Sequence, residues 1–171
     1  MLVQPTESKE AVRARLLPLR RPIEIAVYDS SNYFNFGSIV RISHNFLARK
    51  LYAVDMPTGY YKKSALGTKK YEDIDRCSLD EFIEKTRGRN IVVLEKRDGL
   101  VSKRIYDYVW PDNPIMFFGG ENFGVPDKIL EVATDVVTIP VYGVWNDFNV
   151  AVSVGICVYD WHAKHREESH V

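Results

Sequence analysis

Three short stretches of this sequence combine glycine with polar side chains at spacings that serve chemistry. The first, Asn35-Phe36-Gly37-Ser38-Ile39-Val40-Arg41, sets an amide, a flexible backbone point and a guanidinium in one run. Asparagine caps helices well and glycine lets the backbone enter a helix closely, so the run reads as a loop-to-helix junction with Arg41 in about the first turn. The helix dipole disfavours a cation there, which points to an anion expected nearby. The second, Phe118-Gly119-Gly120-Glu121-Asn122-Phe123-Gly124-Val125-Pro126, lets bare backbone N–H groups approach a ligand. It is not GxGxxG and lacks the Lys and Ser/Thr of a P-loop, so a nucleoside triphosphate site is not indicated. The third runs from Ile139 to Ser153 and offers apolar walls, Gly143 and Asn149. An asparagine in such an apolar stretch must be hydrogen-bonded, either as a ligand group or in the first turn of a helix capped by Asn146 or Asp147.

The elements that must carry these loops are strands alternating with helices. Residues 23–28, 51–54, 91–95, 115–118 and 136–139 read as short apolar strands. Residues 37–46, 78–86, 100–108, 126–133 and 147–165 read as helices, with Ser78 and Glu81 forming a capping box and Pro126 at a first turn. Continuous apolar strands separated by helices predict an α/β fold: a parallel sheet covered by helices on both faces. Ligands then bind beyond the carboxyl ends of the strands, where all three glycine-bearing loops fall.

The chain has 171 residues, 46% hydrophobic and 27% charged, which fits one globular domain and excludes a wholly disordered or fibrous chain. No apolar run reaches membrane-spanning length, and the first 22 residues are too charged for a signal peptide. Cys77 and Cys157 make no disulfide framework, so a cytoplasmic location is the expectation. Neither these cysteines nor His162 and His165 form a convincing metal set, and no metal is expected. The net charge of zero hides a split: residues 1–70 carry 12 Lys/Arg against 5 Asp/Glu, and the rest carry 11 against 18. Such asymmetry suits a basic face that attracts a polyanion. Residues 1–22 read as a basic arm, flexible as a frayed terminus or docked on nucleic acid or a partner subunit, residues 23–165 as the folded domain and 166–171 as a tail.

Taken together and in this order, the loops closely resemble the motifs of the SpoU-class (TrmH-like) RNA 2′-O-ribose methyltransferases of the SPOUT superfamily. Asn35, Gly37 and Arg41 match Asn-x-Gly-x-x-x-Arg; Gly119, Glu121 and Gly124 match Gly-x-Glu-x-x-Gly; Ile139, Pro140, Gly143, Asn149 and Val150 match the third motif. The resemblance covers residues 23 to about 162. It implies a C-terminal deep trefoil knot that no periodicity would reveal. It implies S-adenosyl-L-methionine as cofactor, in a pocket involving Leu94, Glu95, Gly119, Ile139, Val144 and Phe148. It implies a homodimer joined through the first and last helices of the domain, with Arg41 of one subunit serving the knot of the other. The catalytic set it implies is Arg41, Asn35, Glu121 and Asn149. Since guanidinium stays protonated, Arg41 suits positioning rather than proton abstraction, with Glu121 orienting it and Asn35 orienting the nucleotide.

Three departures stand out. Asp147 replaces the family serine thought to hold substrate phosphate, Phe148 replaces leucine, and Phe123 stands where a second glutamate is common. An aspartate beside phosphate repels it, so a catalytically weakened RNA-binding protein on the same fold is the alternative, and a small-molecule methyltransferase a third reading. For RNA, Lys62, Lys63, Lys69 and Lys70 lie among tyrosines in the 60–71 stretch, pairing phosphate-binding charge with stacking rings. With Arg41 they form the expected RNA-binding set, and the short chain favours a small structured target such as tRNA.

Overall fold

The computed structural model describes residues 7–29, 32–57, 65–121, 123–145 and 147–165. Among the described residues, seven strands form one sheet: β1 (Arg21–Tyr28), β2 (Ala48–Val54), β3 (Ile74–Cys77), β4 (Ile91–Leu94), β5 (Lys103–Arg104), β6 (Ile115–Phe118) and β7 (Asp135–Thr138). Every pairing between them is parallel, in the order β3-β2-β1-β6-β4-β7-β5. Among the described residues, five α-helices accompany the sheet: α1 (Lys9–Leu16), α2 (Tyr33–Asn45), α3 (Leu79–Lys85), α4 (Asp127–Val132) and α5 (Val150–Lys164).

The strands are apolar throughout because both of their faces are covered. Ile25, Val27, Met116 and Phe118 point to one side, where Phe36, Ile39 and Val40 of α2 and Val154, Cys157 and Trp161 of α5 complete a core. Ala26, Ile115 and Phe117 alternate to the other side and meet Phe82 of α3 and Ile129 of α4. The expected two-sided parallel sheet is therefore present. Burial pushes the Cys77 thiol up and the Cys157 thiol well above its ordinary value, which leaves both as core residues rather than nucleophiles.

Four elements depart furthest from the sequence reading. α2 begins at Tyr33, capped by the Asn32 side chain, which accepts from Phe34 N at 3.0 Å. Asn35 is thus inside the helix, and Arg41 lies more than two turns in, where the dipole argument for an anion no longer applies. Residues 100–108 are not an α-helix. Lys103 and Arg104 pair with Val137 and Thr138 as β5, and a 3₁₀ turn covers Ile105–Asp107. Asp135 fixes that segment by accepting from Lys103 Nζ at 2.5 Å and Tyr108 Oη at 2.9 Å. α5 starts at Val150 rather than 147, with Asn149 itself as the cap. β3 is an additional edge strand, disguised in the sequence by Asp75 and Arg76.

The amino-terminal residues that are described pack onto the domain. α1 buries Val12 completely, and β1 already begins at Arg21. Arg20 donates from both terminal nitrogens to the Glu72 carboxylate at 2.7 and 2.9 Å, and His44 Nδ1 lies 2.7 Å from it. Burial pushes the Glu72 carboxyl up, but the bonds from His44 and Arg20 outweigh it and hold it below its ordinary value. A depressed folded value stabilises the fold above the unfolded carboxyl's range near 4.5, and this contribution drains away as pH falls through the folded value. Glu72→Ala strands a nearly buried guanidinium and is expected to cost about 3–5 kcal/mol in urea unfolding at neutral pH, shrinking in acid. A loss below about 1 kcal/mol would place the pair in the weak class of surface bridges.

Candidate active site

β1 is followed by β2 and β3 on one side, while β6, β4, β7 and β5 extend on the other. The order therefore switches at β1, and a crevice opens beyond the carboxyl ends there. A cleft of about 520 Å³ occupies that crevice, within the range of small-molecule sites. Its walls come from successive strand ends: Leu94 after β4, Phe118 and Gly119 after β6, Val137, Thr138 and Ile139 after β7. Phe148 and Val150 close it from the segment entering α5.

The second motif owes its glycines to close backbone packing. Gly120 and Gly124 exchange both N–H···O bonds at 3.0 Å, which clamps these two backbone positions together. A Cβ on Gly119 would stand 2.4 Å from the Gly124 carbonyl carbon, and one on Gly120 would stand 3.2 Å from Asp29 O. Gly124 adopts φ +65, the left-handed region that glycine enters without cost. Glu95 clasps this loop: Oε2 accepts from Val125 N at 2.9 Å and Oε1 from Lys96 N at 2.8 Å. Its carboxylate is thus committed to backbone.

The polar side of the cleft joins all three motifs. Asn35 Nδ2 donates to Glu121 Oε1 at 2.5 Å, and Asn149 Nδ2 donates to Asn35 Oδ1 at 3.0 Å. Asn149 Oδ1 in turn accepts from Ala151 N at 3.0 Å, the helix cap of α5. The chain of donors fixes each amide's orientation: the helix N–H sets Asn149, Asn149 sets Asn35, and Asn35 holds one oxygen of Glu121. Asn149 is therefore a site residue and also the cap, in place of the expected Asn146 or Asp147.

Of the expected cofactor residues, Leu94, Glu95, Gly119, Ile139 and Phe148 line the cleft together. Val144 does not; it is 97% exposed in the loop between β7 and α5. Of the expected catalytic residues, Asn35, Glu121 and Asn149 line the cleft. Arg41 stands outside it, exposed on α2, and makes no hydrogen bond or ion pair with the described residues. The expected Glu121–Arg41 contact is replaced within this chain by Glu121–Asn35. Asp147 faces the cleft. Lys69 and Lys70 sit before β3, at the opposite ends of the strands from the cleft, while Lys62 and Lys63 lie outside the described residues. Ser153, four residues after Asn149 and so on the same side of α5, also lines the cleft. That i,i+4 spacing was its only signal in the sequence. Among the described residues, no group of three His, Cys, Asp or Glu side chains could hold a metal ion. No helix among them is long and apolar enough to cross a membrane.

The switch-point cleft of this parallel sheet brings together the three loops that resemble the SpoU-class motifs. The SpoU rRNA Methylase family model matches residues 22–159, and the chain belongs to that family. A similar curated protein is the tRNA (guanosine(18)-2′-O)-methyltransferase of Aquifex aeolicus (strain VF5), 29% identical over 166 residues, covering 88% of this chain and 78% of that one. Among solved structures, the A. aeolicus TrmH/SpoU tRNA modifying enzyme superposes with a TM-score of 0.76 at 22% identity, covering 91% of this chain and 81% of that one. The AdoMet-bound rRNA methyltransferase from Sinorhizobium meliloti gives 0.77 at 17% identity, and covers 91% of this chain. This chain spans 61% of that longer protein.

Proposed function

We propose that this protein transfers a methyl group from S-adenosyl-L-methionine to a ribose 2′-hydroxyl of RNA, with tRNA as its substrate, and that it acts in the cytoplasm as a homodimer. The observation that carries the reading is the hydrogen-bonded chain Asn149–Asn35–Glu121 at the lip of the switch-point cleft. The cleft suits the cofactor: Leu94, Phe118, Ile139 and Phe148 offer apolar walls for a flat base, and bare glycine backbone lines the same cavity. When bound, S-adenosylmethionine supplies a methyl carbon on a sulfonium, which leaves without needing an acid.

The chain's own residues supply orientation and a route for the hydroxyl proton. As methylation would turn the hydroxyl into an ether, its proton would pass to an open carboxylate or to solvent. Arg41 stays protonated and cannot take it. Its planar fork suits binding the adjacent phosphate while polarising the hydroxyl. Glu95 is committed to backbone N–H groups, which leaves Glu121 and Asp147 as the cleft carboxylates open to solvent. Holding the hydroxyl against the methyl in a fixed geometry supplies much of the rate.

Arg41 stands outside the cleft of its own chain, which supports a second copy delivering it. Exposed apolar side chains on the two helices that would meet, Phe34 on α2 and Val152 and Tyr159 on α5, support the same assembly. The reading includes a trefoil knot. In its support, β7 lies beyond β4 at the far side of β6, yet the chain returns from it to pack α5 against α2.

Calorimetric titration with S-adenosylhomocysteine, followed by methyl transfer to tRNA read as 2′-O-methylnucleosides by mass spectrometry, tests the proposal. Micromolar binding and transfer are expected, with a dimer in sedimentation. Asp147 in the cleft favours a second reading, an RNA-binding protein without transfer. RNA binding with no methylated product would establish it. No binding at millimolar ligand, with RNA present or absent, would overturn the first.

A further inference from the structure

We propose that the groove between α1 and the Thr68–Tyr71 turn is a second RNA-binding subsite, one that takes the phosphate backbone at the amino ends of the strands. The inference rests on the reading of the chain as an enzyme acting on RNA. The groove has a volume of about 550 Å³ and is lined by Lys9, Arg13, Lys69, Lys70, Glu72 and Asp73, with Gly67 and Ile74.

A helix of eight residues is marginal by itself, so its position has to be imposed. Here it is. Ser8 caps it by accepting from Ala11 N at 3.1 Å, Val12 is wholly buried, and Arg13 Nη2 donates to Glu72 O at 2.7 Å. Lys9 and Arg13, four residues apart, share one helix face, and both line the groove with Lys69 and Lys70 from the turn. Gly67, at φ +81, makes that turn, and nothing stands within 4 Å of where its side chain would be.

Charge decides what fits. The lining holds four cations and two carboxylates. The Glu72 carboxylate is already held by Arg20 and His44, so it opposes the cations little. Four cations against two carboxylates, one of them already held, leave the lining net positive in a chain of zero net charge, which attracts a polyanion. Phosphate backbone is the polyanion the proposed activity brings. Lys70 rides 4.8 Å above the Tyr71 ring, so its ammonium is held at the turn rather than free to sweep.

Position then sets the size of the RNA. The groove precedes β1 and β3, whereas the cleft follows β4, β6 and β7. Three strand spacings separate β3 from β6, about 14 Å across the sheet, so an RNA touching both in one subunit spans at least that width. A structured RNA does so; a dinucleotide at the cleft does not.

The test uses the full-length protein with Lys9, Lys69 and Lys70 changed to glutamine, singly and together. Unfractionated tRNA is the probe, and anisotropy is followed across a salt series. Removing three phosphate contacts is expected to weaken tRNA binding more than tenfold in the triple variant and to lower its salt slope by roughly two to three. Thermal unfolding and S-adenosylhomocysteine affinity act as fold controls and should match wild type. An unchanged affinity and slope in the triple variant, beside a wild type that binds tRNA, would overturn the groove while sparing the proposed activity. A wild type that binds no tRNA would overturn both. Displacement of tRNA by a polyglutamate peptide at equal charge concentration would assign the groove to an acidic protein and overturn the RNA subsite.

Discussion

Arg41→Lys is expected to lower kcat for methyl transfer to tRNA by about 10²–10³-fold, the scale at which loss of one aimed donor is felt. Affinity for S-adenosylhomocysteine should stay at the wild-type value. The substitution keeps the positive charge, so attraction of RNA to the surface survives. What it removes is the planar fork that holds two oxygens at once. The structural cost is small because Arg41 is exposed on α2 and makes no hydrogen bond or ion pair with the described residues. Ile39, Val40 and Ser43 face the core instead, and none of them changes. A unique fold, an intact cleft and a lost rate would therefore isolate geometry as the missing quantity. The measurement is single-turnover methylation of tRNA alongside calorimetry. A rate within threefold of wild type would remove Arg41 from the site.

The motifs were legible in the sequence because glycine is informative where backbones touch. Gly119, Gly120 and Gly124 each stand where a Cβ would press on carbonyl, amide or carboxylate atoms, and Gly124 adds a left-handed φ. The two-sided sheet was legible for a related reason: strands such as Ile115–Phe118 have no polar face to offer water. Less legible were choices between equivalent residues. Asn32 and Asn35 are both good caps, and the difference of one helical turn moved Arg41 away from the dipole and turned Asn35 into the bridge between Glu121 and Asn149. The Lys103–Arg104 strand was hidden for another reason. Its two exposed cations carry no strand pattern, and only the β7 edge and the Asp135 carboxylate make it extended. Likewise, the basic arm reads as a frayed terminus until Arg20 and Arg13 find Glu72, some fifty residues away in the chain. Long-range pairing of this kind leaves no periodic trace.

Gly119→Ala is expected to abolish binding of S-adenosylhomocysteine, weakening it by at least about 10²-fold, and to lower stability by about 3 kcal/mol. The added methyl would meet three backbone atoms: Gly124 C at 2.4 Å, Gly124 O at 2.6 Å and Val125 N at 2.6 Å. None can swing away as a side-chain tip would. The loop is closed by the paired Gly120–Gly124 bonds and by Glu95 on Val125 N, so relief has to break at least one of them, at about 1 kcal/mol each. Relief also moves Glu121 away from Asn35 and displaces the glycine backbone that floors the cleft. For a domain of this size the loss corresponds to a drop of about 6–12 °C in Tm. Gly143→Ala is the matched control: nothing stands within 4 Å of its would-be Cβ, so neither Tm nor affinity should move. Calorimetry on both variants separates steric closure of the loop from a general dislike of added methyls. A Gly119→Ala protein that binds and melts like wild type would mean that the loop opens freely, and that the cleft is not built on its closure.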